Sequence, residues 1–583
     1  MPRHLPTLLL AACVATALAQ PLTTLAERSG FKETGRYSEV QQLCNDFQAA
    51  YPKAVRCITF GQTPEGRPMQ ALVVSQSGAL TPQAAQARRL PVLLVQGGIH
   101  AGEIDGKDAG FLALREALQG KAAKGALTKQ VLLFVPVFNI DGHERFGAWN
   151  RPNQRGPEQM GWRTTGRNYN LNRDYAKADT AEMQAMLRLV DAWDPLAYID
   201  LHVTDGAKFE HDISIMTEPR QSGDEALRQA GRALNNAVVA DLTKQGSLPL
   251  DFYPSFAVED DPSSGVYASV PPPRFSNGYF QLRNRLGMLV ETHSWKDYPT
   301  RVRITRNTIV SLMEQIAAHG AEWRREAAAA DARSRQLAGQ LVALSYEPTD
   351  KVETIAFRGY AYTRTQSDVS GALMTRYDES RPQVWAMPLH PELKPELVVT
   401  APKAGYVVPR AHAAWVAAKL ALHGIQYQTL KQAATTEVEA FRASKMEFAA
   451  KSEESHQRLT LEGQWQPEKR ALAAGDLYVP IAQPKARFVM ALLEPQAPDA
   501  LAAWGYFNTA FEPKEYMEPY VAEEVARQQL ADPAIKAAFE AKLKDPAFAK
   551  DAAARLEFFA RRHASWDERY QLYPVLRVAT APR

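Results

Sequence analysis

The chain has 583 residues, 45% hydrophobic, 23% charged and 9% aromatic, with 68 Lys and Arg against 65 Asp and Glu and a net charge of +3. With 33 Gly, 38 Pro and no biased tract, collagen-like, coiled-coil and mainly disordered classes are excluded, and at about 100–200 residues per domain the length predicts two or three domains. No segment gathers Lys and Arg into a long basic run, which excludes a nucleic-acid partner held by phosphate neutralisation.

At the N-terminus, Arg3, an apolar run over 5–17 and Ala17-Leu18-Ala19 before Gln20 read as a secretory signal peptide over residues 1–19, cleaved after Ala19. A rival reading takes Leu10-Ala11-Ala12-Cys13 as a lipobox with Cys13 lipidated, although the apolar stretch before it is short. No other stretch is long and apolar enough to span a membrane, so the mature protein is expected in the periplasm or secreted. A helix-like run over 37–50 and a strand-like run over 54–60 carry Cys44 and Cys57. The pair is either a disulfide closing a short loop, worth about 3 kcal/mol, or two buried thiols.

From about 90 to 294, short apolar runs at 91–95, 131–135, 196–199 and 286–290 alternate with amphipathic segments at 104–118 and 180–193. That alternation predicts an α/β domain with a mixed, largely parallel sheet sandwiched by helices, occupying 20–330. The runs lack polar alternation, so both faces of those strands are expected to be covered. A helix is predicted over 308–341, strands over 352–399, a helix over 411–423, a short strand over 488–493 and mostly helix over 513–562. Residues 342–583 are expected to form a C-terminal α+β accessory region, in which no catalytic motif is found.

Polar clusters follow three of the apolar runs: Gln96-Gly97-Gly98-Ile99-His100-Ala101-Gly102-Glu103, Asp200-Leu201-His202 and Glu291-Thr292-His293. Ligands of open α/β sheets bind at the carboxyl ends of the strands, so His100, Glu103, His202 and Glu291 are predicted to meet at one edge. Two imidazoles and one carboxylate, with a fourth position left for water, make the donor set of a catalytic zinc ion. A further carboxylate, Glu291, raised in pKa by its apolar surroundings, suits a general base. His143, His211 and His293 are assigned structural roles. The sequence contains no His-Glu-x-x-His, Gly-x-Ser-x-Gly or Gly-x-x-x-x-Gly-Lys motif.

Alone, His100-x-x-Glu103 says little. In the order His100-Ala-Gly-Glu103, Asn139-Ile-Asp141-Gly142, Trp162-Arg163-Thr164, Asn172-Arg173-Asp174-Tyr175, Leu201-His202 and Val290-Glu291, the chain resembles the zinc carboxypeptidase (funnelin-type) family over roughly residues 35–310, as a bacterial exported member. The resemblance implies one Zn2+ ion on His100, Glu103 and His202, with Glu291 as general base and Arg163 on the oxyanion. It also implies that Asn172 and Arg173 grip the free C-terminal carboxylate of a peptide substrate. Guanidinium groups match carboxylates bidentately and stabilise developing oxyanions, which fits both arginine roles.

The chain departs from the family at Asn170, where many relatives carry an Asp behind a zinc histidine, and in having no secure substrate-capping tyrosine, Tyr267 and Tyr279 being imperfectly spaced from Glu291. Arg274 would favour an acidic terminal side chain. Two alternatives stand beside the carboxypeptidase: a zinc amidohydrolase acting on peptidoglycan stem peptides or N-acyl amino acids, and a non-catalytic binding protein on the same scaffold.

Overall fold

A computed structural model describes residues 22–582; the expected signal peptide and Cys13 lie outside them. The strands are β1 (Val55–Gln62), β2 (Pro68–Val74), β3 (Val92–Gly97), β4 (Val131–Val135), β5 (Ala197–Thr204), β6 (Ile213–Glu218), β7 (Pro249–Leu250), β8 (Val266–Tyr267) and β9 (Leu286–His293). All but β8 form one eight-stranded sheet in the order β1-β2-β4-β3-β5-β9-β6-β7. Its centre, β4-β3-β5-β9, is parallel, while β1, β2 and the β6–β9 pair supply antiparallel neighbours. Every residue of β3, β4 and β5 is buried, as the missing polar alternation predicts.

Helices cover both faces, as expected of this mixed α/β fold. Side chains alternate along β5, and on its Leu201 side lies the helix Asp105–Leu118, brought so near that a Cβ on Gly106 would stand 3.0 Å from the Leu201 side chain. On the Tyr198 side the helix Ser276–Leu282 stacks Phe280 on Tyr198 at 4.2 Å between ring centres. The helix Ala181–Trp193 starts where Thr180 accepts the Met183 N–H, a capping hydroxyl that satisfies an orphan helix donor. Cys44, in the helix Tyr37–Ala50, and Cys57, in β1, form a disulfide with Cα atoms 5.4 Å apart, a bond that fits an oxidising compartment outside the cytoplasm. Among the described residues no helix is long and apolar enough to cross a membrane.

Three expectations need correction. The helix placed at 308–341 runs over Tyr298–Ser334: Asp297 caps it by accepting the Thr300 N–H at 3.0 Å, and Pro299 fits the first turn, where no amide donor is needed. The short strand at 488–493 is the buried helix Ala486–Leu493; a brief, wholly apolar run has no period to separate the two states, and Ala, Met and Leu favour helix. The strands read at 196–199 and 286–290 run further, as β5 and β9, so that His202 and Glu291 lie inside the carboxyl-end halves of the strands themselves.

Beyond residue 340 the hairpin Glu353–Gln366 and Leu373–His390 joins β8 in a three-stranded sheet. A six-stranded sheet contains the long pair Ala434–Phe448 and Leu459–Leu472, with the helix Arg410–Leu422 beside it. Short helices fill 519–560. One hydrophobic core runs without a break from Ala26 to Val575. Tyr279 sits at its middle, fully buried, donating to or accepting from His423 Nδ1 at 3.0 Å and meeting the Phe488 ring edge-on. It therefore cannot swing over a substrate.

Candidate active site

Glycine opens the site. Gly98, at the end of β3, has φ 62°, a left-handed turn that costs glycine little, and the chain then bends so that Glu103 N–H donates to His100 O at 2.9 Å before the helix Asp105–Leu118 begins. His202 arrives on β5, and the parallel register of β5 with β9 sets Glu291 directly beside it. Burial is nearly complete for all four side chains.

Glu103 is the hub. Its Oε1 lies 3.0 Å from His100 Nδ1, and its Oε2 lies 3.0 Å from His202 Nδ1 while also accepting the Val203 N–H at 3.0 Å. One potential ligand atom from each of His100, Glu103 and His202 falls within 4.8 Å of the other two. Arg151 Nη1 and Arg163 Nη1 approach Glu103 Oε1 at 2.8 and 3.2 Å. Although burial pushes Glu103 up, Arg151 and the two imidazoles outweigh it and hold the carboxyl well below its usual range. Burial brings His100 down to about 4, so it is neutral. For His202 burial opposes charge, but Asp200, Glu103 and Glu291 raise it well above the ordinary histidine value.

The donor set fits zinc. His100 Nε2 faces Asn170 Oδ1 at 3.1 Å, which leaves Nδ1 as the lone-pair nitrogen, and that buried atom has no hydrogen-bond partner. An orphaned buried nitrogen is costly, and a divalent cation shared with Glu103 and His202 would satisfy it. A cation there would also relieve the proton that the surrounding carboxylates now favour on His202. Asn170 does what the sequence asks of it: an amide oxygen orients the ring, though it raises ligand basicity less than a carboxylate would.

His100, Glu103, Arg163, Asn172, Arg173, His202 and Glu291 all line one cavity of about 350 Å³. Glu291 is pushed up to about 8, first by burial, with Glu103 and Asp205 adding to the rise and His202 opposing it. Asn172 and Arg173 sit in the short 3-10 turn Leu171–Arg173. The Arg173 guanidinium lies 4.7 Å from the Phe275 ring centre and donates to Asn172 O at 2.8 Å, and burial, with Arg163 and Arg274 nearby, makes its charge harder to hold.

Other expectations fall elsewhere. Arg274 is not at the cavity wall; its Nε pairs with Asp499 at 3.1 Å. Tyr267 stacks on His390 at 4.2 Å, outside the cavity. His143, assigned a structural role, is buried in the short helix Ile140–Glu144 with Nε2 3.1 Å from Gly35 O, and His293 stacks on Phe209. Three neighbours were not foreseen. Asp200 Oδ1 lies 3.1 Å from His202 Nε2, and the strand period would have placed both on one face. Arg151 and the cavity-lining Tyr253 belong to irregular segments, where no spacing announces them.

Residues 40–246 match the family model described as zinc carboxypeptidase. No curated protein matches the sequence. Among solved structures, a metallo-carboxypeptidase from Burkholderia cenocepacia is 13% identical, covering 48% of this chain and 70% of its own, with a TM-score of 0.36. Bovine thrombin-activatable fibrinolysis inhibitor, in complex with tick carboxypeptidase inhibitor, is 14% identical over 50% and 98%, TM-score 0.36. Carboxypeptidase A from Helicoverpa armigera is 16% identical over 52% and 75%, TM-score 0.34.

Proposed function

Residues 40–246 carry the sequence pattern of the zinc carboxypeptidase family, and from that premise we propose that this protein is a zinc-dependent carboxypeptidase, acting outside the cytoplasm, that removes the last residue of a peptide. His100, Glu103 and His202 hold the ion in this reading. When bound, zinc supplies Lewis acidity, polarising the scissile carbonyl and lowering the pKa of water. Glu291 accepts the proton of the attacking water and passes it to the leaving amine; a carboxyl that burial has made more basic suits both steps. Arg163, which lines the same cavity, would stabilise the oxygen on which negative charge develops.

The observation that carries the reading is Arg173. Its guanidinium lines the cavity, and among the described residues no carboxylate oxygen comes within 4.0 Å of it. A half-buried cation held by a ring and a carbonyl, but by no anion, is built to take one from outside. The C-terminal carboxylate of a peptide is the anion that a scissile bond beside Glu291 would bring, with Asn172 adding a neutral donor.

The test compares free-acid and C-terminally amidated peptides of the same sequence, with and without chelator. We expect release of the last residue from the free acids alone, lost on chelation and restored by zinc. Equal cleavage of the amides would move the reading to an amidohydrolase. Zinc binding with no cleavage of either would leave a binding protein.

A further inference from the structure

The pair of long strands Ala434–Phe448 and Leu459–Leu472 sends a second, shorter turn toward the site. Glu453 and His456 exchange backbone hydrogen bonds at 2.8 and 2.9 Å, which makes Glu454 and Ser455 the two central residues of a tight hairpin. Both have positive φ, 48° and 66°. A two-residue hairpin of this hand strongly prefers Asn and Gly, and neither Glu nor Ser adopts the left-handed region cheaply. Their side chains explain the choice. Glu454 Oε2 accepts the Asn170 N–H at 2.9 Å, and Ser455 Oγ lies 3.2 Å from the Tyr169 hydroxyl. The turn itself is pinned: His456 Nε2 meets Asp179 Oδ2 at 2.7 Å, and Arg458 stands 3.6 Å from Asp499, which also holds Arg274.

Asn170 is the link to the site. Its Oδ1 faces His100 Nε2 at 3.1 Å and accepts the Asn172 N–H at 3.0 Å. One residue thus sets the ring of a proposed metal ligand and the backbone that carries Asn172 and Arg173. Glu454 fixes that residue from behind, and the carboxylates of Glu453 and Glu454 also favour the charged form of Arg173.

We propose that Glu454, delivered by the C-terminal region some 280 residues further along the chain than its partner, is a positioning residue of the active site, holding the His100 imidazole and the Asn172–Arg173 grip in register through Asn170. The inference rests on the carboxypeptidase reading above. It makes the late region part of the site without lending that region any group that touches substrate.

The experiment compares Glu454→Ala, Glu454→Gln and His100→Ala in the full chain, reading zinc affinity by chelator competition, KM and kcat on a free-acid peptide, and thermal midpoint. Glu454→Ala should weaken zinc binding by about tenfold, the lower end for an outer-shell partner. It should also raise KM by about fivefold, the worth of one ordinary hydrogen bond, with kcat and midpoint nearly unchanged. Glu454→Gln keeps an oxygen for the Asn170 N–H and should restore both. Wild-type zinc affinity and KM in Glu454→Ala, or a change in midpoint alone, would overturn the proposal. His100→Ala separates the two levels: if it leaves zinc affinity intact, the metal site is misassigned, whereas lost zinc binding there beside an unaffected Glu454→Ala removes only the positioning role.

Discussion

Glu291 stands beside His202 across a strand pair, yet its protonation is set mainly by burial, which lifts it to about 8. Replacement by Gln keeps the volume and removes the base. Turnover should fall by about 10²–10⁴-fold, the usual worth of a general acid–base, while zinc stays bound at one ion per chain. Metal analysis alongside kinetics checks this, and undiminished turnover would reject the assignment. At this scale the sequence was informative wherever chemistry needs a rare residue type at a set place. His100 and Glu103, three apart after a glycine turn, and His202 and Glu291, at the ends of apolar runs, could be found this way. Arg151 could not, although it lies nearer to Glu103 than Arg163 does, because one arginine in an irregular segment looks like any other until the chain is folded.

Strand β6 ends on Glu218, a buried acid whose carboxylate accepts the Arg220 N–H at 2.8 Å. Burial raises it to about 7 from an unfolded value of 4.5. The native state therefore binds the proton more tightly than the unfolded chain does. Stability is fully present below pH 4.5 and declines as pH rises toward 7, by about 3 kcal/mol at most. Glu218→Gln should match the wild type in thermal midpoint near pH 4 and exceed it at pH 8; a gap that does not widen with pH would contradict this. Elements with strong end signals were legible in the sequence, the helix capped by Thr180 among them. The apolar run ending at Leu493 was not, nor was the strand Ala434–Phe448. In that strand charged residues alternate with small and aromatic ones on a ribbon whose ends are exposed, so it shows neither a clean helical face nor a covered-strand run.

A core that continues from Ala26 to Val575 joins the sheet to the C-terminal region. Arg283 donates to His423 O at 3.1 Å and Asn284 to Pro484 O at 3.2 Å across the same junction. Separating the two would expose Tyr279 and Phe488, which meet across that junction, to water at about 1.5–3 kcal/mol for each large side chain. The chain should therefore unfold in one calorimetric transition; two resolved transitions would show that the regions melt independently. The sequence placed a catalytic α/β region ahead of an accessory one and could not show how they join, because the apolar faces that meet belong to segments far apart in the chain.

The β5–β9 pairing that sets His202 beside Glu291 has a mechanical consequence. Adjacent strands keep a spacing of about 4.8 Å, so the gap between those two groups is gauged by the lattice of the sheet, and no loop has to hold it. The loops threaded between the two strands can lengthen, shorten or fluctuate with temperature while that calibration stays unchanged.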